Sequence, residues 1–295
     1  MSTANTVSRQ TAQVQDDGEW TMIIRPHRRW LDLRLGELWR ARDLILLFVR
    51  RDFVAGYKQT ILGPFWALVQ PLLTTVVFTL IFGRVARLST DGLPPFLFYM
   101  AGTVVWSYFS ACLTKTADTF GANAHIFGKV YFPRLTVPIS ILLSNLVAFC
   151  IHFALFLAFV VYFWLDGAAV TPTTAIFLLP LLLFIMAGLG LGAGIIVSSL
   201  TTRYRDLQNV VTFGTQLLMY ATPVIYPASA TPARYRILLQ ANPMTAIVEA
   251  FRGAFLGTDT VSTGALLYSF GFMLVALILG LLLFNRVEQT FMDTV

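Results

Sequence analysis

Charge is what this sequence has least of, and its longest apolar runs hold no acidic residue at all. Only 12% of its 295 residues are Asp, Glu, Lys or Arg, where an ordinary soluble domain carries about a quarter. No Asp or Glu lies inside the six longest apolar stretches. A membrane-embedded glycosyl or acyl transferase needs a carboxylate or histidine pair facing a cavity, and none is found. A proton- or sodium-driven carrier generally uses an ionisable group at the midplane; only His152 comes near one, and its ordinary reading is a neutral imidazole bonded to a neighbouring helix. The other two histidines, His27 and His125, are far away in sequence. Two cysteines, Cys112 and Cys150, sit in apolar context, too few for a thiolate metal site or a disulfide framework, so they read as small buried hydrophobes. There is no G-x-x-x-x-G-K-S/T phosphate loop, since Gly128-Lys129 lacks both the upstream glycine and the hydroxyl residue. There is no G-x-S-x-G elbow and no internal repeat of the kind ion-coupled carriers often show. The first ~20 residues lack the apolar core of a signal peptide, so no cleavable signal is expected.

What remains is apolar: 57% of the chain, at a mean hydropathy of +0.71. Six stretches approach the ~20 residues that a ~30 Å hydrocarbon core requires: about 60–83, 95–114, 137–165, 173–200, 210–227 and 264–284. The expected fold is therefore an all-α membrane protein with six transmembrane helices. Residues 1–29 read as a polar cytoplasmic tail and 30–295 as one transmembrane domain. Within 30–53, Trp30, Leu31, Leu35, Leu38 and Trp39 fall at helical spacing between arginines, the pattern of an amphipathic helix lying on the membrane surface. Residues 228–262 are too polar for a span and too apolar for a plain loop. Two helical patterns meet there at Asn242-Pro243, a turn signal, and predict a re-entrant helical hairpin before the last span.

The net charge of +6 might suggest nucleic acid, but its distribution suggests topology instead. Ten of the 21 basic residues precede residue 60. With the N-terminus inside, inner segments hold sixteen Lys and Arg and outer segments five, which predicts both termini in the cytoplasm.

Three spans carry polar stripes at three- and four-residue steps. Gly63, Trp66, Gln70 and Thr74 mark the first, Thr103, Trp106, Ser107, Ser110 and Thr114 the second, and Gln208, Thr212, Thr215, Gln216 and Met219 the fifth. One such stripe is usually glue between helices. Three, two of them with Trp, allow a second reading as the wall of a passage for a sugar chain, whose C–H faces stack on aromatics while its hydroxyls bond amides and hydroxyls. In the fourth span Gly188, Gly190, Gly192 and Gly194 are expected to serve close packing. Two inner loops look built for a partner. The first, 121–134, contains Asn123, His125, Lys129, Tyr131, Phe132 and Arg134; the second, 201–209, contains Arg203, Tyr204, Arg205 and Asp206. Interfacial anchoring by Tyr131 and Phe132 is the plainer alternative.

Together these residues resemble a known family. Arg51-Asp52, Tyr57-Lys58-Gln59-Thr60, Leu62-Gly63, Trp66 and Gln70-Pro71-Leu72 are similar to the start of polysaccharide-exporting ABC-2 type permeases, which export O-antigen, capsule and teichoic acid. Asn123 with Lys129-Val130-Tyr131-Phe132-Pro133-Arg134 resembles their cytoplasmic coupling segment, and Arg203-Tyr204-Arg205-Asp206 the loop between their fourth and fifth spans. Pro223-Val224, Tyr226-Pro227, Asn242-Pro243-Met244 and Phe251-Arg252 resemble their periplasmic re-entrant region. The resemblance implies a homodimer in the bacterial inner membrane, bound to two copies of a cytoplasmic ATPase. ATP and Mg would be held by that partner and no cofactor by this chain. The substrate would be a lipid-linked polysaccharide, most closely O-antigen, whose ATPase often carries a carbohydrate-binding domain; teichoic acid or capsular polysaccharide stays open. Channel-lining candidates are Trp66, Gln70, Thr74, Thr103, Trp106, Ser107, Ser110, Thr212, Gln216 and Met219, ATPase-docking candidates the ten residues named in the two loops, and periplasmic gate candidates Tyr226, Asn242, Pro243, Glu249 and Arg252.

Overall fold

The computed structural model describes residues 35–58, 63–127, 132–201, 206–258 and 262–291, and over these the chain is helical without a β-strand. Five helices are long and apolar enough to cross a membrane. They are α3 (Trp66–Phe78, continued by a π-helical stretch Thr79–Val85), α4 (Pro95–Ala117), α6 (Thr136–Leu165), α7 (Leu179–Thr201, preceded by a 3-10 turn Thr174–Leu178) and α11 (Thr263–Phe291). They correspond to five of the six expected spans, with ends displaced by a few residues. The shorter helices are α1 (Leu35–Arg40), α2 (Arg42–Tyr57), α5 (Thr119–Phe127), α8 (Leu207–Tyr220), α9 (Ala233–Ala241) and α10 (Pro243–Leu256).

The expected span at 210–227 is where the structure differs most. Its helix, α8, has 14 residues, a rise of about 21 Å against a core of ~30 Å. Pro223 is the physical reason: its ring disfavours helical backbone at Thr222 and it has no N–H to continue the ladder. The chain turns over 221–226 instead. The amphipathic stretch is also divided, α1 and α2 meeting at Ala41. In α2, Ile45 and Phe48 are buried while Leu46, Leu47 and Val54 are exposed.

At the centre stands α4, where Leu97, Tyr99, Met100, Ala101, Val104, Val105 and Cys112 are fully buried. It begins on Pro95 at a first-turn position whose N–H would have no helical partner. Helix α7 lies between α4 and α11, and its glycines explain how. Two residues advance about 200° around a helix, so Gly190 and Gly194 face the opposite side from Gly188 and Gly192. A Cβ on Gly190 would stand 2.6 Å from Cys112 Cβ, and one on Gly194 2.6 Å from Thr116 Cβ, both on α4. A Cβ on Gly192 would stand 2.7 Å from the carbonyl carbon of Ala276 on α11. In lipid, with no water to expel, such close backbone contact is what holds helices together.

Asn242 makes the junction of α9 and α10: its side chain accepts from Met244 N at 3.0 Å, and Pro243 occupies the first helical position. The Asn242 amide also donates to Thr222 Oγ1 at 2.8 Å. Tyr268 and Ser269 of α11 donate to the carbonyls of Ala241 and Pro243. This junction thus meets α11 five or six residues in from its first residue, about 8–9 Å along the axis. Helix α9 is mostly exposed and α10 almost wholly buried, its Phe251 and Phe255 packed edge-on or tilted against Phe153 and Phe156 of α6. Gly257 ends α10 at φ +80 against Thr171, a conformation and a space that suit only glycine.

Candidate functional site

Helices α3, α4, α6 and α8 enclose a groove of about 990 Å³. Twelve of the fourteen stripe residues line it: Trp66, Gln70 and Thr74 from α3; Thr103, Trp106, Ser107, Ser110 and Thr114 from α4; Thr212, Thr215, Gln216 and Met219 from α8, while Gly63 and Gln208 do not. Each helix offers one face because a repeat of three and four residues closes on a 3.6-residue turn. Along α4 the lining runs from Thr103 to Lys115, roughly 18 Å of axis.

The hydroxyls of this wall share a habit. Thr74 donates to the carbonyl of Gln70, Thr103 to Met100, Ser107 to Val104, Ser110 to Ser107, Thr114 to Ser110 and Thr212 to Gln208, at 2.7–3.2 Å. With each hydrogen spent on its own helix, the oxygen keeps lone pairs for a hydroxylated guest. Gln70 and Gln216 are exposed and supply amide donors. Trp66 is 46% exposed, whereas Trp106 is 6% exposed and packed on Phe109 at 5.4 Å between centroids. No Asp or Glu lines the groove among the described residues.

A fourth wall escaped the sequence reading. Asn145, Phe149 and His152 of α6 also line the groove, and their spacing of four and three was a legible stripe. His152 lies 3.5 Å from Ser107 Oγ, joining α6 to α4. Lys115, counted above only as a topological charge, lines the groove as well and donates to Asn145 Oδ1 at 2.9 Å.

A second cavity, about 710 Å³, opens at the opposite end and is lined by Asn242, Glu249 and Arg252 of the five gate candidates, together with Asp91 and Arg236. Arg252 is 3% exposed and stacks on Phe98 at 3.7 Å. Its two terminal nitrogens donate to the carbonyls of Pro223 and Val224, each at 2.5 Å, which fastens α10 to the turn after α8. Asp91 accepts from Ser229 at 2.9 and 3.0 Å. Burial holds the Glu249 carboxyl above its ordinary range, opposed by Arg252 and reinforced by Asp91. The other two gate candidates stand apart from the cavity wall: Tyr226 donates to Tyr220 O at 3.1 Å, and Pro243 accepts from Ser269.

The docking candidates are dispersed. Lys129, Tyr131, Arg203, Tyr204 and Arg205 lie outside the described residues. His125 belongs to α5. Asn123 and Arg134 are buried at 7% exposure, Asn123 donating to Thr119 O. Phe132 meets Phe48 edge-on at 5.8 Å. Asp206 is exposed at the start of α8.

Comparison with known proteins adds a family and several relatives. Residues 43–256 match the model of the ABC-2 type transporter family. The chain is 29% identical over 253 residues to an O-antigen export system permease protein of Klebsiella pneumoniae, covering 85% of this chain and 94% of the relative. A protein of the same description from Myxococcus xanthus is 28% identical over 223 residues, 74% of this chain and 82% of its own length. A polysialic acid transport protein of Escherichia coli is 23% identical over 245 residues, 83% and 93% of the two chains.

Proposed function

The chain belongs to the ABC-2 type transporter family, and from that premise we propose that it is the membrane-spanning subunit of an ATP-driven exporter of polysaccharide, O-antigen in particular. The observation that carries this reading is the groove: ten side chains chosen for helical spacing line one groove of about 990 Å³, walled by hydroxyls, amides and indoles and, among the described residues, free of carboxylates. Such a wall suits a neutral, hydroxyl-rich polymer. The relatives described as O-antigen export permeases are nearer in identity than the one described as a polysialic acid transporter, which favours O-antigen over capsule.

The rest of the assembly follows as part of the proposal. Two copies of this chain stand side by side in the inner membrane, each with both termini in the cytoplasm. α8 and the turn after it form a sixth, shortened crossing, and α9–α10 dips back from the outer face against α11. The α1–α2 stretch lies along the inner surface. Two copies of a separate ATPase bind below, holding ATP and Mg, and engage the segments at 121–134 and 201–209. Nucleotide binding and hydrolysis there move the helices and advance a lipid-linked glycan.

Trp66→Ala combined with Trp106→Ala tests the lining role. The double variant is expected to assemble with its ATPase and to lower surface polysaccharide at least several-fold, as immunoblots and co-purification would read. Unchanged surface polysaccharide in a well-assembled variant would remove the groove from the transport path.

A further inference from the structure

Lys115 is the one Lys or Arg among the described residues lining the groove, and no carboxylate lines the groove to neutralise it. It sits in the last turn of α4, at the end where α2 leads into α3. A lysine near the end of a span ordinarily snorkels, laying its stem along the lipid face and its ammonium among headgroups. Lys115 is exposed, but it lines the groove and its Nζ reaches Asn145 Oδ1 on α6 at 2.9 Å, where Asn145 is itself only 3% exposed. An ammonium has three N–H donors. One is taken by Asn145, and no protein acceptor among the described residues takes the other two. Nearby Thr114 and Ser110 have turned their hydrogens into their own helix and so do not compete as donors. At the same end Gly56 of α2 also lines the groove, with open space where a side chain would stand.

We infer that Lys115 binds a phosphoryl group at the inner, loading end of the groove. The inference rests on the polysaccharide-export reading and deepens it. A neutral sugar chain has no use for an unpaired ammonium, whereas a phosphate makes short charge-assisted bonds with one. The groove would thereby distinguish one position on its cargo from all the others. Two sources offer that chemistry: the phosphate that joins a glycan to a lipid carrier, and phosphodiesters within the glycan.

The test uses the permease–ATPase complex in nanodiscs, with Lys115→Gln and Lys115→Arg. The probes are polyprenyl pyrophosphate, polyprenol of equal length and poly(glycerol phosphate). Lys115→Gln is expected to weaken polyprenyl pyrophosphate roughly ten- to a hundredfold, the range for a bond to a charged group. Lys115→Arg should retain most binding, and polyprenol should not distinguish the three proteins. Loss confined to poly(glycerol phosphate) would support the same site with the glycan as its source. Undiminished binding of both phosphoryl probes by Lys115→Gln would overturn the inference. So would equal loss in Lys115→Arg, or an effect on polyprenol as large as on its pyrophosphate. If Lys115→Gln does not assemble, Asn145→Asp carries the test, since a carboxylate in that place neutralises the ammonium and should cost a similar factor. Surface polysaccharide separates this inference from the reading beneath it. Normal export by Lys115→Gln in cells where deletion of the chain abolishes export defeats the phosphoryl site alone, whereas unaltered polysaccharide after deletion defeats the export function itself.

Discussion

Glu249 and Arg252 show how one helical turn can hold opposite charges for different ends. Arg252 stays charged in a buried place because its donors find two carbonyls and its plane finds Phe98. Glu249 has weaker support, and burial raises its carboxyl above the ordinary value of 4.5. The folded protein therefore holds a proton on Glu249 over an interval in which the unfolded chain has lost it. The stability this confers is fully present below the unfolded value and disappears as pH climbs through the folded one. Glu249→Gln keeps the shape and abolishes the titration. Between pH 5 and pH 8 the melting temperature of the wild-type complex should fall further than that of the variant. Parallel declines would mean that Glu249 meets bulk water in the folded protein. The sequence made Glu249 and Arg252 visible as neighbours on a short helix. Their company was not legible, since Asp91, Phe98 and Val224 come from other parts of the chain and only folding gathers them.

The helices divide into those that hydropathy could find and one that it could not. Apolar runs located α3, α4, α6, α7 and α11 because a bilayer core imposes length and greasiness together. α8 is too short and its apolar face is interrupted by Gln208, Asn209 and Gln216, and a hydropathy window passes over the proline that stops it. Stripes on α3, α4 and α8 were legible because each is local. That they converge with α6 on one groove depends on crossings set elsewhere, above all by α7. A substitution at Gly192 tests that framework. A Cβ there meets backbone of α11 at 2.7 Å, and backbone cannot step aside as a flexible side chain would. Gly192→Ala should destabilise the protein by about 1–3 kcal/mol, the usual cost of overpacking. Gly271→Ala on α11 has nothing within 4 Å and should be neutral or gain up to ~1 kcal/mol from helix propensity. Thermal unfolding of both variants in one detergent makes the comparison; equal effects would show that α7 and α11 are not in such close contact.

At the scale of the whole molecule, one protomer leaves its groove unfinished. Gln70 and Gln216 are exposed and line the groove; in the proposed bilayer setting lipid would offer them no hydrogen bond, and each unsatisfied amide would cost several kcal/mol. In the proposed dimer a second copy with the same need covers them, since two grooves facing each other would make a lumen in which every amide meets water or cargo. Helix α11 presents a different surface: Leu267, Leu274, Val275, Ile278 and Leu279 are exposed and apolar, which suits lipid. The arrangement predicts cross-linking. With exposed Cys150 replaced by Ser and buried Cys112 left in place, Gln216→Cys should be joined between two chains by a short bis-maleimide in intact membranes. Val275→Cys should remain monomeric on a denaturing gel. The link at 216 should also depress export, because it would bridge the proposed path of the polymer. Dimers through 275 with none through 216 would place the partner on α11 and leave the groove facing lipid, and the polar wall would then need another explanation altogether.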